Sequence, residues 1–360
     1  MDRVMPKTLK LKLEDRLEYI NFYEAFQRTK KNKPRRKEIY KFELDLETNL
    51  YTLIQKIKTG KYHFGKYREF LVYEPKIRTI RALPFQDRII HQWYVEEFIK
   101  PYFLPRFIKD SYACIEGKGT HKAVEQIERY MRSMKRKYKE YYILKCDIKK
   151  FFNSIDLEIL ENLMKRYIHD PQLQMFTNKI IYENSYETVG IPIGNYTSQF
   201  FANIYLNELD QYIKQECHIK YYIRYMDDFI LLLPTKNEAK AMYQKIEYFL
   251  KKELNLSLNE KSRFFPNALG VDFCGYHIYE THRLLRKRSI TKMKKQIKYW
   301  NWLYHQENLD YNKAQMSWNC WIAHSTHASC HTLQQKVYDQ MDFREKINQY
   351  LPTQQIEKNN

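Results

Sequence analysis

The chain has 360 residues, which is enough to bury a large core and more than one average domain. Its 62 Lys and Arg residues against 43 Asp and Glu residues give a net charge of +19, which indicates a polyanionic partner, most often nucleic acid, unless the protein is simply soluble and basic. Six scattered cysteines without a Cys-x-x-Cys pair argue against a disulfide framework, and no apolar run approaches the roughly 20 residues of a membrane span, so a soluble cytoplasmic protein is expected.

The N-terminal 45 residues are predicted to form a helical extension with a basic loop. Apolar spacing predicts helix in the second half of residues 1–27, and residues 28–37 then carry seven cations around a proline. Solvated charge and phosphate contact both explain that loop. From Phe42 to Ile57 the spacing is helical again and ends at Thr59-Gly60, where glycine can cap the helix.

Residues 66–83 alternate in two runs about Glu74-Pro75-Lys76, which predicts a β-hairpin displaying Lys76, Arg78 and Arg81. Such charges suit phosphate, but they also keep an exposed sheet edge soluble.

Two further helices are expected next. An apolar stripe from Pro84 to Phe98 is typical of a core helix, and a second helix should begin at Ala123. The loop before it contains Gly117, Lys118 and Gly119 but no complete phosphate-binding pattern.

An apolar strand from Tyr141 runs into a single carboxylate, Asp147. Phe151 and Phe152 follow, and then a helix for which Ser154 or Asp156 is the predicted cap.

A Pro and Gly turn at residues 190–194 precedes a helix for which Thr197 or Ser198 is the expected cap. Its predicted apolar face contains Phe201, Tyr205 and Leu209.

Residues 220–233 are predicted to form two strands around a tight turn that carries Asp227 and Asp228. Aspartate suits turns, so an ordinary hairpin corner is one explanation. An acidic pair held between apolar strands is poorly shielded from its own repulsion, and it therefore favours a bound cation.

The C-terminal part begins with an amphipathic helix over residues 239–256, followed by Lys261 and an extended segment at residues 271–278. Lys and Arg residues are then concentrated in a predicted helix after His282. The Cys and His residues of 320–331 match no standard zinc spacing, so helix packing is preferred to a metal site for them. The tail from Pro352 is polar and expected to be loose.

Three strings in this order resemble reverse transcriptases: Asp-Ile-Lys-x-Phe-Phe at 147–152, Ile-Gly-x-x-x-Ser-Gln at 193–199 and Tyr-Met-Asp-Asp at 225–228. The resemblance spans roughly residues 40–335. It implies an α+β right-hand polymerase with fingers and palm in residues 46–280 and a helical thumb with a tail in residues 281–360.

The resemblance also implies a two-metal nucleotidyl transfer. Asp147, Asp227, Asp228 and the backbone carbonyl of Ile148 would hold two Mg²⁺ ions, with Mn²⁺ as a possible substitute. Lys261 would protonate the leaving pyrophosphate.

Other roles follow by the same resemblance. The dNTP site would comprise Lys76, Arg78, Phe151, Phe152, Ile193, Gly194 and Gln199, with Phe152 excluding a 2′-hydroxyl. The primer grip would comprise Phe273, Cys274, Gly275 and Tyr276. The thumb would contact the RNA template and the RNA/cDNA duplex through Arg286, Lys287, Arg288, Lys292 and Lys295.

Group II intron enzymes have a glutamine where this chain has Ile193. That difference resembles the reverse transcriptases of diversity-generating retroelements, in which copying is error-prone at template adenines and a small basic, ring-forming accessory protein takes part. A defence-associated reverse transcriptase or a catalytically inactive RNA-binding scaffold are the alternatives. A neighbouring pair of near-identical repeats that differ at adenines would favour the retroelement.

Overall fold

A computed structural model describes residues 9–33, 36–73, 77–183 and 187–347. Pro34 and Arg35 of the basic segment, the hairpin tip from Glu74 to Lys76, and the C-terminal tail lie outside the described residues. The α-helices are α1 (Tyr19–Lys30), α2 (Lys37–Glu43), α3 (Leu46–Lys58), α4 (Phe85–Tyr94), α5 (Lys100–Phe103), α6 (Thr120–Lys137), α7 (Phe151–Ser154), α8 (Leu157–Lys165), α9 (Pro171–Ile181), α10 (Tyr196–Gln211), α11 (Lys236–Leu254), α12 (Lys287–His305), α13 (Tyr311–Ser325) and α14 (His331–Tyr338). The strands are β1 (Arg68–Val72), β2 (Arg78–Ala82), β3 (Tyr142–Asp147), β4 (Tyr222–Tyr225), β5 (Asp228–Leu233), β6 (Arg263–Pro266), β7 (Val271–Phe273), β8 (Tyr276–Ile278) and β9 (Arg283–Leu285).

The chain forms two compact units that alternate along the sequence. The first comprises Met1–Gly117, Cys146–Phe229 and Met242–Ser262, and the second comprises Lys118–Lys145, Ile230–Ala241 and Arg263–Asn360. The four-stranded sheet has the order β4-β5-β3-β6, and the division falls within β3 and β5. The strands that carry the predicted aspartates are therefore neighbours in one sheet.

Aromatic packing and one almost entirely buried helix organise the first unit. Phe22 of α1 stacks on Trp93 of α4 at 4.6 Å between ring centroids, and both side chains are fully buried. Helix α10 is buried on nearly all sides, including the predicted face of Phe201, Tyr205 and Leu209. Apolar side chains on most faces of the helix explain its central place in the core, where its polar residues Asn203 and Asp210 are also buried.

The second unit contains the antiparallel sheet β7-β8-β9 and the helices α6, α12, α13 and α14. Glu128 of α6 forms an ion pair of 2.9 Å with Arg283 of β9. Strand β3 pairs antiparallel with β6 from Tyr142 opposite Pro266 to Lys145 opposite Arg263. None of the helices in the described ranges combines the length and apolar character needed to cross a membrane.

The β1–β2 and β4–β5 hairpins agree with the sequence predictions, whereas several helix ends do not. Residues 283–285, predicted to belong to the helix after His282, form strand β9 paired with β8, and α12 begins at Lys287. The predicted helix from Phe42 to Ile57 is two helices, α2 and α3, with a break at residues 44–45. The basic segment 28–37 is partly helical, because α1 continues to Lys30 and α2 begins at Lys37. Helix α6 starts at Thr120 rather than Ala123.

The predicted caps of α10 are wrong, because the helix begins at Tyr196 and Asn195 is the N-cap residue. The hydroxyl of Thr197 is instead 2.8 Å from His91 Nδ1 inside the core, and Ser198 is buried within the first turn. The Asn195 side chain donates to the Tyr67 hydroxyl rather than capping the helix. Asp156 does cap α8, as one of the two predicted alternatives, by accepting from the backbone N–H groups of Glu158 and Ile159.

Candidate active site

Asp147 is the last residue of β3, and backbone hydrogen bonds hold it in place. Its N–H donates to Ser262 Oγ at 3.1 Å, and the Ser262 hydroxyl donates to its carbonyl oxygen at 3.2 Å. The N–H of Asn259 donates to the same carbonyl at 2.7 Å. These contacts fix the backbone of Asp147 at the end of β3.

Residues 225–228, here called the acidic turn, join β4 to β5. Met226 has a φ of 57°, the left-handed conformation that tight hairpin turns require and that is uncommon for a residue other than glycine. The N–H of Ile148 donates to the carbonyl of Asp227 at 3.3 Å. That bond joins the segment carrying Asp147 directly to the acidic turn.

A buried ion pair supports the acidic turn from within the core. Arg224 contacts Asp210 of α10 through two hydrogen bonds, of 2.8 and 2.6 Å, and neither side chain is exposed. Burial alone would lower the pKa of Arg224, but the charge and hydrogen bonds of Asp210 outweigh it and raise that pKa above its ordinary value. Arg224 Nη1 also donates to the carbonyl of Met226 at 3.1 Å.

Asp147, Ile148, Asp227 and Asp228 line one cavity of about 770 Å³. The other predicted residues on its wall are Arg78, Phe151, Phe152 and Ile193. Residues without a predicted site role complete it: Ile77, Lys149, Lys150, Asn153, Tyr225, Met226, Asn259 and Glu260. Lys149, Lys150, Tyr225 and Met226 lie within three positions of an aspartate in the sequence, which is the signal that could have identified them.

Three predicted site residues of the first unit are not among those that line this cavity: Gly194, Gln199 and Lys261. Gln199 is exposed on α10. Lys261 is exposed in a turn, where its N–H donates to the side chain of Asn259 at 3.1 Å. Lys76 lies outside the described residues.

The two hairpin arginines have different surroundings. Arg81 forms ion pairs with Glu69 at 2.8 Å and with Glu187 at 3.2 Å, and the hydrogen bonds to Glu187 and then to Glu69 raise its pKa. Arg78 is exposed and lines both the main cavity and an adjoining one of about 590 Å³. Of the two, Arg78 is therefore the cation placed to meet an anion in the cavity.

The backbone of β2 is joined to the turn that carries Ile193. The N–H of Arg81 donates to the Ile193 carbonyl at 3.1 Å. Gly194 has a φ of 128°, and a Cβ atom at this position would lie 2.9 Å from the carbonyl oxygen of Arg81. Glycine is therefore required here both for its backbone conformation and for the close approach of β2.

In the second unit, the predicted primer-grip residues form the β7–β8 turn. Cys274 and Gly275 both have positive φ, of 46° and 94°, as a two-residue hairpin turn requires. The Tyr276 hydroxyl donates to the carbonyl of His324 at 2.9 Å. The predicted thumb cations Arg286, Lys287, Arg288, Lys292 and Lys295 lie at the cap or along the first half of α12, and all are exposed.

The side chains at the site fit a hard divalent cation. Across the described part of the chain, no group of three or more His, Cys, Asp or Glu residues is placed so that it could hold a metal ion by itself. Mg²⁺ is commonly held by one or two carboxylates together with substrate phosphates, so a closed set of protein ligands is not needed. Carboxylate oxygens on two hydrogen-bonded segments suit that chemistry.

Comparison with known proteins gives a family match and several similar proteins. Residues 68–278 match the profile of the family described as "Reverse transcriptase (RNA-dependent DNA polymerase)". Among curated proteins, the chain is 23% identical over 318 residues to the group II intron-encoded protein LtrA of Lactococcus lactis, covering 68% of this chain and 52% of that protein. It is 24% identical over 235 residues to a putative COX1/OXI3 intron 2 protein of Saccharomyces cerevisiae, covering 46% of this chain and 27% of that protein.

The aligned region thus spans about half of the Lactococcus protein and about a quarter of the yeast protein. Among solved structures, the telomerase of Candida albicans in complex with a fragment of telomeric RNA matches with a TM-score of 0.46 and 12% identity. That match covers 69% of this chain and 52% of the telomerase chain.

Proposed function

Because the chain belongs to the reverse transcriptase (RNA-dependent DNA polymerase) family, we propose that it is an RNA-directed DNA polymerase that makes cDNA from dNTPs on an RNA template. The observation that carries the proposal is the hydrogen bond from Ile148 to Asp227, which brings the Asp147 segment and the acidic turn to one cavity. Right-hand fingers and palm would occupy residues 46–280 and the thumb residues 281–360, after the N-terminal extension 1–45.

Enzymes of this family generally use divalent metal ions. In our proposal Asp147, Asp227, Asp228 and the carbonyl of Ile148 would hold two Mg²⁺, or Mn²⁺ in their place. When bound, such ions lower the pKa of a primer 3′-hydroxyl and neutralise charge on the triphosphate and the leaving pyrophosphate.

The chain's own residues would bind and orient the reactants. Arg78, with Lys76, would bind the triphosphate, because the planar guanidinium meets phosphate oxygens in pairs. The half-buried Phe152, whose ring is 5.6 Å from that of the buried Phe151, would pack against the sugar and exclude a 2′-hydroxyl. Lys261 would supply the proton to pyrophosphate.

Residues of the second unit would hold the nucleic acid. Phe273 to Tyr276 would grip the primer end, and the exposed cations of α12 would bind the phosphates of the RNA/cDNA duplex. None of the six cysteines, all of which lie in the described ranges, takes part in a disulfide bond, in line with the reducing cytoplasm that we propose as the compartment.

For the biological role we propose the diversity-generating retroelement branch. The support is Ile193, which lines the cavity where group II intron enzymes have a glutamine. Loss of an amide that hydrogen-bonds near the nascent base pair weakens discrimination between pairs. Gly194 and Gln199 belong to the same motif, and the proposed partner is a small basic, ring-forming accessory protein.

Substitution of the first aspartate of the acidic turn tests the polymerase activity. Asp227→Asn should abolish template-dependent dNTP incorporation while RNA binding stays within about twofold, because the carboxylate acts in chemistry rather than in RNA affinity. Asp45→Asn is the matched control, since Asp45 is exposed and its side chain makes no capping hydrogen bond. Incorporation by Asp227→Asn at the rate of the unmodified protein would refute the proposal.

The retroelement role is tested by deep sequencing of cDNA made in vitro from a defined RNA. Misincorporation should be concentrated opposite template adenines, and Ile193→Gln should reduce it by restoring an amide to the cavity. Faithful copying at adenine by the unmodified protein would refute this branch and leave the polymerase proposal intact.

A further inference from the structure

Helix α12 carries a single exposed stripe with two different chemistries along its length. Arg288, Lys292, Lys295, Tyr299 and Trp302 follow each other at spacings of three and four residues, so they lie on one face of the helix. All five are exposed. Cations occupy the N-terminal part of this stripe and aromatic rings its C-terminal part. It is called the α12 stripe below.

The α12 stripe faces away from the core of its own unit. Met293, Ile297 and Trp300, the buried residues of α12, lie on the opposite side of the helix. At the C-terminal end of the helix, Asn301 donates to the carbonyl of Gln340 at 2.8 Å. The helix is therefore packed on one side, and the stripe lies on the side that is exposed to solvent.

The two aromatic residues of the stripe are exposed and adjacent. Tyr299 is 54% exposed and Trp302 is 58% exposed. Their ring centroids are 6.0 Å apart with an angle of 21° between the ring planes. Two large, adjacent rings that are both exposed to solvent offer flat faces on which a nucleobase stacks.

The charge of α12 identifies the class of occupant. The helix contains six Lys and Arg residues and no Asp or Glu. Its positive field therefore attracts a polyanion and does not attract a protein surface that has few acidic residues. The segment from Arg288 to Trp302 spans about 21 Å at 1.5 Å per residue. That length extends over several nucleotides of one strand.

We propose that the α12 stripe binds a junction in the template: its cations hold the phosphates of the RNA/cDNA duplex, and Tyr299 and Trp302 stack on unpaired RNA nucleotides next to it. The inference rests on the proposed function for the identity of the RNA strand. Bases inside a duplex are already stacked on each other, so an exposed aromatic surface gains contact only from an unpaired base.

The chain contains a built-in reporter for this contact. All five tryptophans are in the described ranges, and four of them, Trp93, Trp300, Trp318 and Trp321, are at most 8% exposed. Trp302 is the exposed one. A base stacking on it should quench its fluorescence, whereas phosphate contacts elsewhere should not.

The test titrates the full-length protein with a blunt RNA/DNA hybrid and with the same hybrid bearing a short RNA overhang. The overhang should quench Trp302 and tighten binding at least about fivefold, the lower end of the range for stacking of one base on an aromatic ring. An abasic overhang carries the same phosphates without bases, and it should do neither. An overhang on the DNA strand should quench Trp302 less and tighten binding less than the RNA overhang. A hybrid that is bound in one orientation presents only one of its two strands to the rings.

Variants separate the rings from the rest of the protein. Trp302→Ala and Tyr299→Ala should each remove most of the gain from the overhang while affinity for the blunt hybrid stays within about twofold. Trp302→Phe should retain much of the gain in affinity and lose the quenching. Tyr248→Ala is the matched control, since Tyr248 is a 65% exposed tyrosine in the lysine-rich helix α11, beside Lys252.

Three outcomes would overturn the inference: equal binding of base-containing and abasic overhangs, a preference for the DNA overhang, or self-association of the protein that Trp302→Ala abolishes. Each can be distinguished from failure of the proposed function. If dNTP incorporation by the unmodified protein is normal, those outcomes refute the stacking site alone. If incorporation is absent, the polymerase proposal fails whatever the fluorescence shows.

Discussion

Arg224 determines the geometry of the acidic turn without lining the cavity. It forms its ion pair with Asp210 in a fully buried setting, and its Nη1 atom donates both to Asn203 at 3.0 Å and to the Met226 carbonyl. The Tyr222 hydroxyl also donates to Asp210 at 2.6 Å. The left-handed conformation of Met226 is therefore held by a network rooted in α10.

We expect Arg224→Met to lower the free energy of unfolding by about 3–5 kcal/mol, because it leaves the Asp210 charge buried without its partner. The double variant Arg224→Met/Asp210→Asn should recover much of this loss, since it removes both charges and keeps an acceptor for Tyr222. Its dNTP incorporation should nevertheless remain at least about tenfold below that of the unmodified protein, because nothing then fixes the Met226 carbonyl. Denaturant unfolding and single-turnover kinetics measure the two effects separately.

Arg224→Lys is the conservative comparison for that pair. It keeps the positive charge but not the planar guanidinium that contacts Asp210 twice. We therefore expect a clear fall in the rate of dNTP incorporation and a smaller loss in the free energy of unfolding than in Arg224→Met. A double variant with recovered stability and an unimpaired rate would show that Arg224 acts only in folding.

At the scale of single residues, the sequence identified site residues where several of them stand together in a short motif. Asp147, Asp227 and Asp228 could be identified because each follows or precedes an apolar strand. Ser262 and Asp210 could not be identified, since each acts through a partner that is distant in the chain or in another element. Such pairs become visible only when the fold brings them together.

At the scale of elements, the contact of β2 with the 190–194 turn depends on Gly194. Gly194→Ala should weaken dNTP binding severalfold and destabilise the protein by about 1–3 kcal/mol, because the new Cβ meets the Arg81 carbonyl in a backbone region that favours glycine. The KM for dNTP and the free energy of unfolding are the measurements.

Gly119→Ala provides the control for the backbone effect. Gly119 has a φ of 124°, close to that of Gly194, but a Cβ there would meet no atom within 4 Å. Gly119→Ala should therefore lower the free energy of unfolding through backbone strain without changing the KM for dNTP. Equal KM values for the two variants would argue against the contact with β2 as the cause.

A second contact between elements involves three histidines around β8. The ring centroids of His121 and His327 are 3.7 Å apart. The Tyr276 hydroxyl donates to the backbone carbonyl of His324. Burial, followed by the charges of neighbouring histidines, lowers the pKa of both His324 and His327. The folded state then binds fewer protons than the unfolded state, so stability is lost as the pH falls through the unfolded value of about 6.5.

Denaturant unfolding followed by tryptophan fluorescence, on either side of about pH 6.5, measures this dependence. His327→Gln should flatten it, because the variant removes one of the groups that resists protonation. His169→Gln, at an exposed histidine of the first unit, should leave the slope unchanged. If the slope of the free energy of unfolding against pH is unchanged in His327→Gln, His327 does not contribute to the pH dependence.

The β1–β2 and β4–β5 hairpins were predictable from the sequence because alternation and turn residues act locally, whereas the short strands β6 and β9 were not predicted. Helix ends were less predictable, since tertiary contacts compete for the same side chains. Thr197 is a good N-cap residue by composition, yet its hydroxyl contacts His91 in the core. The break between α2 and α3 at residues 44–45 carries no proline or glycine that would have marked it.

At the scale of the whole molecule, the two compact units are not consecutive in sequence. Lys118–Lys145 belongs with the C-terminal residues, while Cys146–Phe229 belongs with the N-terminal ones. Composition alone does not reveal such an exchange, because both segments have ordinary globular patterns. The net charge of +19, in contrast, is a property that sequence states directly and that bears on binding at long range.

That charge predicts how RNA affinity depends on salt. The logarithm of the association constant should fall linearly with the logarithm of salt concentration, because bound cations release counterions from the phosphates. Lys292→Gln/Lys295→Gln should reduce the steepness of that line by about two if both side chains contact phosphate. Lys240→Gln/Lys251→Gln removes the same charge from exposed positions of α11 and should lower affinity slightly without a comparable change in slope. If both double variants shift the slope equally, RNA responds to the overall charge of the protein, and α12 has no special part in binding it.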